Sequence, residues 1–262
     1  LAMGVEEAVV LAAGEGMRVR PLTKHRPKPM LPAANRPILE YVLDALIDTG
    51  INTIHIVVGY KGDRVQDHFG SQYRDTDIEY VHQYKQLGSG HALLQAESSL
   101  DGWFLVVNGD QICSPRIITD VTDRVDTDEA CSGVLGVLER DELGVYGAVE
   151  LDDDTVTEFI ENPQTGSFHW LNAGVYAFDT TIFDVLKDTP RRDGELSLPD
   201  AIAELMQHES PVCAVRTHGL WTDATYPWDL LTVARDLMDA GWIDVENMET
   251  DVWVAENASV HE

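Results

Sequence analysis

The chain has 262 residues, room for one large or two small domains with a sizeable core. Hydrophobic residues make up 44% of it, but no long uncharged apolar run occurs, and a membrane span is excluded. Acids outnumber bases 46 to 18, giving a formal net charge of −28, and a surface this negative repels nucleic acid and anionic membranes.

Adaptation to a salty cytoplasm, a halophilic habit, accounts for the acidity, because salt screens such a surface; an acidic interaction surface is the other reading. No basic segment followed by an apolar stretch opens the chain, so no secretory leader is expected. Cys113, Cys131 and Cys213 are odd in number and widely spaced. That pattern fits neither a disulfide framework nor a zinc site and points to a reducing cytoplasm.

Ala8, Val9, Val10, Leu11 and Ala12 form an apolar run that predicts a buried parallel strand. It leads into Gly14-Glu15-Gly16-Met17-Arg18, where glycine frees the backbone so that N–H groups can face phosphate oxygens. Residues 18–36 then hold Arg18, Arg20, Lys24, Arg26, Lys28 and Arg36 and not one acid. A positive island in a negative chain points to a small polyanion such as a nucleotide or sugar phosphate; a chance basic loop is the bland alternative.

Residues 37–47 carry apolar side chains at helical spacing behind a proline. Strands are expected at 53–58, 78–82 and 103–107, with helices at 63–69 and 90–98 between them. This alternation predicts a parallel sheet with helices on both faces, and ligands bind such sheets beyond the carboxyl ends of the strands. The glycine turn and Asp110, in Asn108-Gly109-Asp110, both stand at such ends.

The second half alternates less regularly. Strands are expected at 130–138, 145–151, 156–160, 173–178 and 212–217, and helices at 181–187, 198–208 and 227–240. Residues 144–147 and 152–154 read as turns between antiparallel strands, the acidic run 152–154 as solvated. Residues 3–240 thus form one mixed α/β domain. In the tail, Val254 and Val260 stand six apart with Ala258 and Ser259 between them, like the first rung of a left-handed β-helix. One rung cannot bury its own face, so 241–262 is read as a linker and the start of a longer repeat, with a plain extension as the alternative.

Leu11-Ala12-Ala13-Gly14-Glu15-Gly16-Met17-Arg18, followed by Lys28-Pro29-Met30-Leu31-Pro32, resembles the signature of sugar-1-phosphate nucleotidylyltransferases. Gln83 with Leu87-Gly88-Ser89-Gly90-His91-Ala92-Leu93 resembles that family's base-reading loop. Asn108-Gly109-Asp110 resembles its metal-binding strand end, and Trp221-Thr222-Asp223 before Pro227-Trp228-Asp229 its second metal carboxylate. The blocks keep the family order from residue 8 to 231. They are most similar to the N-terminal domain of archaeal bifunctional N-acetylglucosamine-1-phosphate, or glucose-1-phosphate, uridylyltransferases, which carry a C-terminal acetyltransferase. The fold implied is α/β: a Rossmann-like, mixed, mainly parallel sheet flanked by helices, the nucleotide-diphospho-sugar transferase fold, with the start of a left-handed β-helix at the C-terminus.

The activity implied is attack of a sugar 1-phosphate oxygen on the α-phosphorus of a nucleoside triphosphate, UTP or dTTP, expelling pyrophosphate. Anion must meet anion, so catalysis is positioning and charge neutralisation. By the resemblance, Leu11, Ala12, Ala13, Gly14, Gly16 and Arg18 hold the triphosphate, and Gln83, Gly88 and Ser89 read the base. Lys28 neutralises phosphate charge at the reacting centre with Arg18 and Asp110, and Asp110 and Asp223 hold Mg2+. Gly147, Glu161 and Asn172 contact the sugar. Glucose 1-phosphate and N-acetylglucosamine 1-phosphate are the expected acceptors, and a homo-oligomer is an open outcome.

Structural readings stand beside these roles: a surface ion pair for Arg18, a solvated lysine for Lys28, a strand end for Asp110, a helix cap for Asp223, and a loop tie for Gln83. Two departures from the family pattern bear on the sugar: Asn162 where many members carry lysine, and Tyr226 where a small residue is common. A dinucleotide-dependent oxidoreductase expects a third glycine near Val19 and an acid where Gly59-Tyr60-Lys61 stands, and fails on both. A non-catalytic regulatory or scaffolding member of the same fold is the alternative function; intact Arg18, Lys28, Asp110 and Asp223 argue against it.

Overall fold

A computed structural model of the chain describes residues 4–127, 131–140, 146–161, 170–208 and 210–243. In chain order the strands are β1 (Glu7–Ala12), β2 (Pro32–Ala33), β3 (Arg36–Pro37), β4 (Thr53–Val58), β5 (Gln72–Tyr73), β6 (Thr76–His82), β7 (Trp103–Asn108), β8 (Gln111–Cys113), β9 (Gly133–Glu139), β10 (Ala148–Asp152), β11 (Thr155–Ile160), β12 (Trp170–Asp179), β13 (Val212–Thr217) and β14 (Trp221–Asp223). The helices are α1 (Ile38–Asp48), α2 (Gly62–Phe69), α3 (Ser89–Leu94), α4 (Pro115–Thr127), α5 (Ile182–Asp188), α6 (Leu198–Leu205) and α7 (Asp229–Asp239).

Ten strands form one mixed sheet in the order β10-β11-β13-β9-β12-β7-β1-β4-β6-β5, and β10 also reaches β12. The block β7-β1-β4-β6 is parallel, as the apolar, β-branched runs of the first half predict. From β1 the chain moves outward through β4 and β6, then returns to lay β7 on the other side of β1. The order therefore reverses between β1 and β7, and that crevice is where such sheets bind ligands.

Side chains of β1 alternate between two cores. Ala8, Val10 and Ala12 join α1, α2 and α4 on one face, and Val9 joins α3, α5 and α6 on the other. A third cluster links Val19, Leu31, Ala33 and Ile38 to Val233 and Leu237 of α7. It fastens the basic loop to the C-terminal helix, and no local pattern announces it.

Most expected elements form within a few residues of their expected bounds. Asp153 and Asp154 make the tight turn between antiparallel β10 and β11, with Asp153 at φ +50°. The expected elements do not include α4, whose Ile117, Ile118, Val121 and Val125 are buried in the first core.

The cysteine reading is corrected. Cys131 and Cys213 form a disulfide across 82 residues, and Cys113 alone is free and buried. Spacing hid the pair because β13 lies parallel beside β9 with Cys213 opposite Val134, close to Cys131 at the entry to β9. With that pair joined, the cysteines no longer argue for a reducing compartment. No helix among the described residues is long and apolar enough to cross a membrane. The expected β-helix rung, the residue 144–145 part of a turn, and Asn162 lie outside the described residues.

Candidate active site

Two adjoining cavities open at the carboxyl ends of β1 and β7. One, of about 470 Å3, is lined by Arg18, Gly147, Glu161, Asn172 and Asp223. The other, of about 310 Å3, is lined by Leu11, Ala12, Ala13, Gly14, Gln83 and Gly88. Gly16, Lys28, Ser89, Asn108 and Asp110 face both. Every residue to which the family resemblance assigned a role thus borders one cavity or the other.

Backbone geometry builds the shared wall. Gly109 N donates to Leu11 O (3.0 Å), tying the end of β7 to the end of β1. Gly16 sits at φ +63°, and a Cβ there would lie 2.8 Å from Cβ of Lys28, so glycine is needed for conformation and for space. Thr23 Oγ1 donates to Gly16 O (2.9 Å) and locks the turn. Among the described residues, none beyond its two chain neighbours comes within 4 Å of a Cβ placed on Gly14.

At the joint, Lys28 Nζ lies 2.8 Å from Asp110 Oδ2 and 2.7 Å from Asp223 Oδ1. Asp110 follows β7 directly. Asp223 reaches it because β14 pairs with β8 in the register Asp223 opposite Gln111. The lysine and Asp223 side chains are only 11% and 6% exposed, Asp110 35%. Burial opposes the Lys28 charge, but the two carboxylates outweigh it and hold the ammonium above its ordinary pKa. Burial and the nearby Asp110 push the Asp223 carboxyl up, against the pull of Lys28 and a hydrogen bond from Thr225.

Asp223 therefore ends a strand and is engaged by Lys28 and by Thr225, whose Oγ1 donates to Asp223 Oδ2 (2.9 Å). Two carboxylates drawn onto one cation are a hard oxygen donor set. They fit a divalent ion that takes one or two carboxylates and completes its shell with phosphate oxygens. No group of three or more His, Cys, Asp or Glu able to hold a metal occurs among the described residues.

The basic island divides. Only Arg18 and Lys28 of it border the cavities; Arg20 pairs with Glu15, and Arg36 with Glu40 and Asp44. Arg18 is exposed and has no ion pair among the described residues. Gln83 is buried, and its amide nitrogen donates to Gly88 O (3.0 Å) and meets His91 Nδ1 (3.0 Å). Half of its hydrogen-bonding capacity thus ties down the loop. Gly88 is at φ +99°, where its Cα faces the Leu196 backbone. Ser89 Oγ accepts from Leu198 N (2.9 Å).

Asn172 donates to Tyr176 OH (2.6 Å) and accepts from Gly174 N (3.2 Å), holding a bulge in β12. Desolvation in the cavity wall and the nearby Asp200 raise the Glu161 carboxyl, against Arg18. Tyr226 stacks on the exposed Trp228 and does not face the first cavity; its neighbour Thr225 does. Sequence reasoning missed Thr225, Asn108 and Gln86, whose amide donates to Ala13 O (2.8 Å). Each lies within or beside a recognised block, which was the available signal.

Residues 7–240 match a family model described as nucleotidyl transferase. The chain belongs to that family. A curated relative, "UTP--glucose-1-phosphate uridylyltransferase AglF" of Haloferax volcanii, is 36% identical over 226 residues, 85% of this chain and 93% of the relative. "Bifunctional protein GlmU" of Methanococcus vannielii is 32% identical over 265 residues, 98% of this chain and 61% of that protein. The chain thus spans about three fifths of the length of that bifunctional relative. A UDP-glucose pyrophosphorylase structure from Acinetobacter baumannii superposes with a TM-score of 0.79 at 22% identity, over 89% of this chain and 93% of that one. The fold is the mixed α/β fold of these nucleotidyl transferases.

Proposed function

We propose that the chain transfers a nucleotidyl group from UTP or dTTP to a sugar 1-phosphate and releases pyrophosphate. The observation that carries this reading is the contact of Lys28 with both Asp110 and Asp223 where the two cavities meet. A nucleotide in the smaller cavity and a sugar phosphate in the larger would bring their phosphates to that wall. Glucose 1-phosphate leads over N-acetylglucosamine 1-phosphate as acceptor, since the Haloferax relative matched over 93% of its length is named for it.

Gly14 and Gly16 leave backbone N–H groups free to approach phosphate oxygens, and Arg18 adds a charge from the rim. Lys28 lies within reach of both substrates and offsets their mutual repulsion. Gln83, with its nitrogen occupied by the loop, presents its carbonyl oxygen to an N–H on a pyrimidine edge. Glu161 accepts from sugar hydroxyls beside Gly147 and Asn172. Asp110 and Asp223 would hold Mg2+. A bound Mg2+ supplies neutralisation of phosphate charge where bonds are made and broken. Residues 3–240 are the catalytic domain in this reading, and a salty cytoplasm, the compartment of nucleoside triphosphates, is its setting.

The test is pyrophosphate release with Mg2+ for four triphosphates, each paired with glucose 1-phosphate and N-acetylglucosamine 1-phosphate at high salt. UTP or dTTP should exceed GTP and ATP in kcat/KM, because a purine leaves the loop's polar groups mispaired. Preference for a purine triphosphate sinks the base assignment, and no turnover with any pair favours the non-catalytic alternative.

A further inference from the structure

The two carboxylates suited to a divalent ion already hold a cation that belongs to the chain. Lys28 Nζ is 2.8 Å from Asp110 and 2.7 Å from Asp223, and these are its two partners. Neither aspartate depends on it for its backbone position, and Asp223 not for its side-chain position. Asp223 is fixed by the β14–β8 ladder and by Thr225 Oγ1 on its other oxygen (2.9 Å). The Asp110 backbone is held at the end of β7, anchored through Gly109 N to Leu11 O (3.0 Å). The Lys28 stem is pinned too, with Gly16 so close that a Cβ there would stand 2.8 Å away. Lys28 borders both cavities.

We propose that Lys28 is the resident counter-cation of the Asp110–Asp223 pair, and that the Lys28 ammonium and a divalent ion occupy that pair alternately. The inference rests on the reading of the site given under Proposed function. Lysine and two carboxylates sum to one negative charge, and a divalent ion in place of the ammonium sums to zero. Both cations together would stand at hydrogen-bond distance from the same oxygens and repel each other. The displaced ammonium can turn about its own side chain towards phosphate oxygens in either cavity. Without a triphosphate the ion must displace a lysine that has no new partner. With one, the lysine has a partner, and metal and nucleotide bind with positive coupling.

The test uses manganese alone, counted by the electron paramagnetic resonance of the free ion, in molar potassium chloride so that the acidic surface is screened. Wild type, Lys28→Met and Lys28→Met/Asp223→Asn are compared without nucleotide, with circular dichroism checking each fold. Lys28→Met should bind one ion roughly tenfold or more tighter than wild type, a coupling of ordinary size. The double variant should lose that site. Equal or weaker binding by Lys28→Met, or a tight site that survives Asp223→Asn, overturns the proposal. Should Lys28→Met not fold, Lys28→Gln removes the charge while its amide still donates to one carboxylate, and the same outcomes decide. Manganese binding does not depend on turnover. An active wild type with unchanged affinities defeats this inference alone, and an inactive one with the expected affinities defeats only the proposed function.

Discussion

Removing either partner of the Lys28–Asp223 contact should have unequal consequences. Lys28→Met leaves two carboxylates together with no cation, and the Asp223 side chain, 6% exposed, cannot turn to water. Breaking a buried pair in that way costs about 3–5 kcal/mol. At about 2–4 °C per kcal/mol for a chain of this size, the melting temperature should fall by roughly 6–20 °C. Asp223→Asn leaves a neutral lysine–aspartate pair: its one amide oxygen still accepts from Lys28, and the NH2 that replaces Oδ2 donates to Thr225 Oγ1 instead. The loss there should be about 1 kcal/mol, the worth of one weakened hydrogen bond. Activity should not follow stability: Asp223→Asn, although it melts higher than Lys28→Met, and Asp110→Asn should each lose about 10²–10³ in kcat, the usual cost of one group in a preorganised charge site. Melting by circular dichroism and pyrophosphate release on the same preparations test this together. If Asp223→Asn melts as low as Lys28→Met, or keeps near wild-type turnover at limiting Mg2+, the charge count is wrong.

Three further outcomes are expected. Closing 82 residues through Cys131–Cys213 should contribute about 4.5 kcal/mol in the chain-entropy picture, so the urea midpoint should drop when a phosphine reductant is present; equal midpoints, or three free thiols in the oxidised unfolded protein, would refute the cross-link. With −28 charges the fold should melt lower in dilute buffer than in molar potassium chloride, and a salt-independent melting temperature removes the halophilic reading. Glu161 has a raised folded pKa, so its contribution to stability is fully present below the unfolded value and is lost as pH rises through the folded one. The melting temperature of wild type relative to Glu161→Gln should therefore decline from acid to neutral pH; a flat or rising difference contradicts the shift.

What was legible in the sequence had local causes. β1, β4 and β7 are runs of Val, Ile, Leu and Phe that fit a strand buried on both faces, and the glycine turn follows within two residues of β1. The helix α4 was missed because Thr119, Thr122, Thr127 and Asp120 are weak helix formers. Burial of Ile117, Ile118, Val121 and Val125 against the sheet overrides that preference. The disulfide was missed because its partners meet only through a parallel strand pair. The site was legible residue by residue through its resemblance to a family, but not as a geometry. Lys28 and Asp223 are 195 residues apart, and only the β8–β14 ladder explains why they touch. Gln83 was read as facing the base, with a loop tie as the alternative, and its nitrogen does fasten the loop.

On the proposed function, a chain of net charge −28 must handle two polyanions, a conflict that the site geometry would resolve. The mean field of the surface opposes every phosphate that approaches. That field acts over the Debye length, about 3 Å in molar salt and about 10 Å in 0.1 M. Lys28 meets its carboxylates at 2.7 and 2.8 Å inside a largely buried wall, where salt screens little. Arg18 lines the larger cavity with no carboxylate partner among the described residues. Two cations at contact range can thus govern phosphate binding while the remaining charge, screened outside, sets only solubility and salt requirement. The rest of the basic island need not touch substrate for this to work, and the pairing of Arg20 and Arg36 with nearby acids is what that division of labour requires.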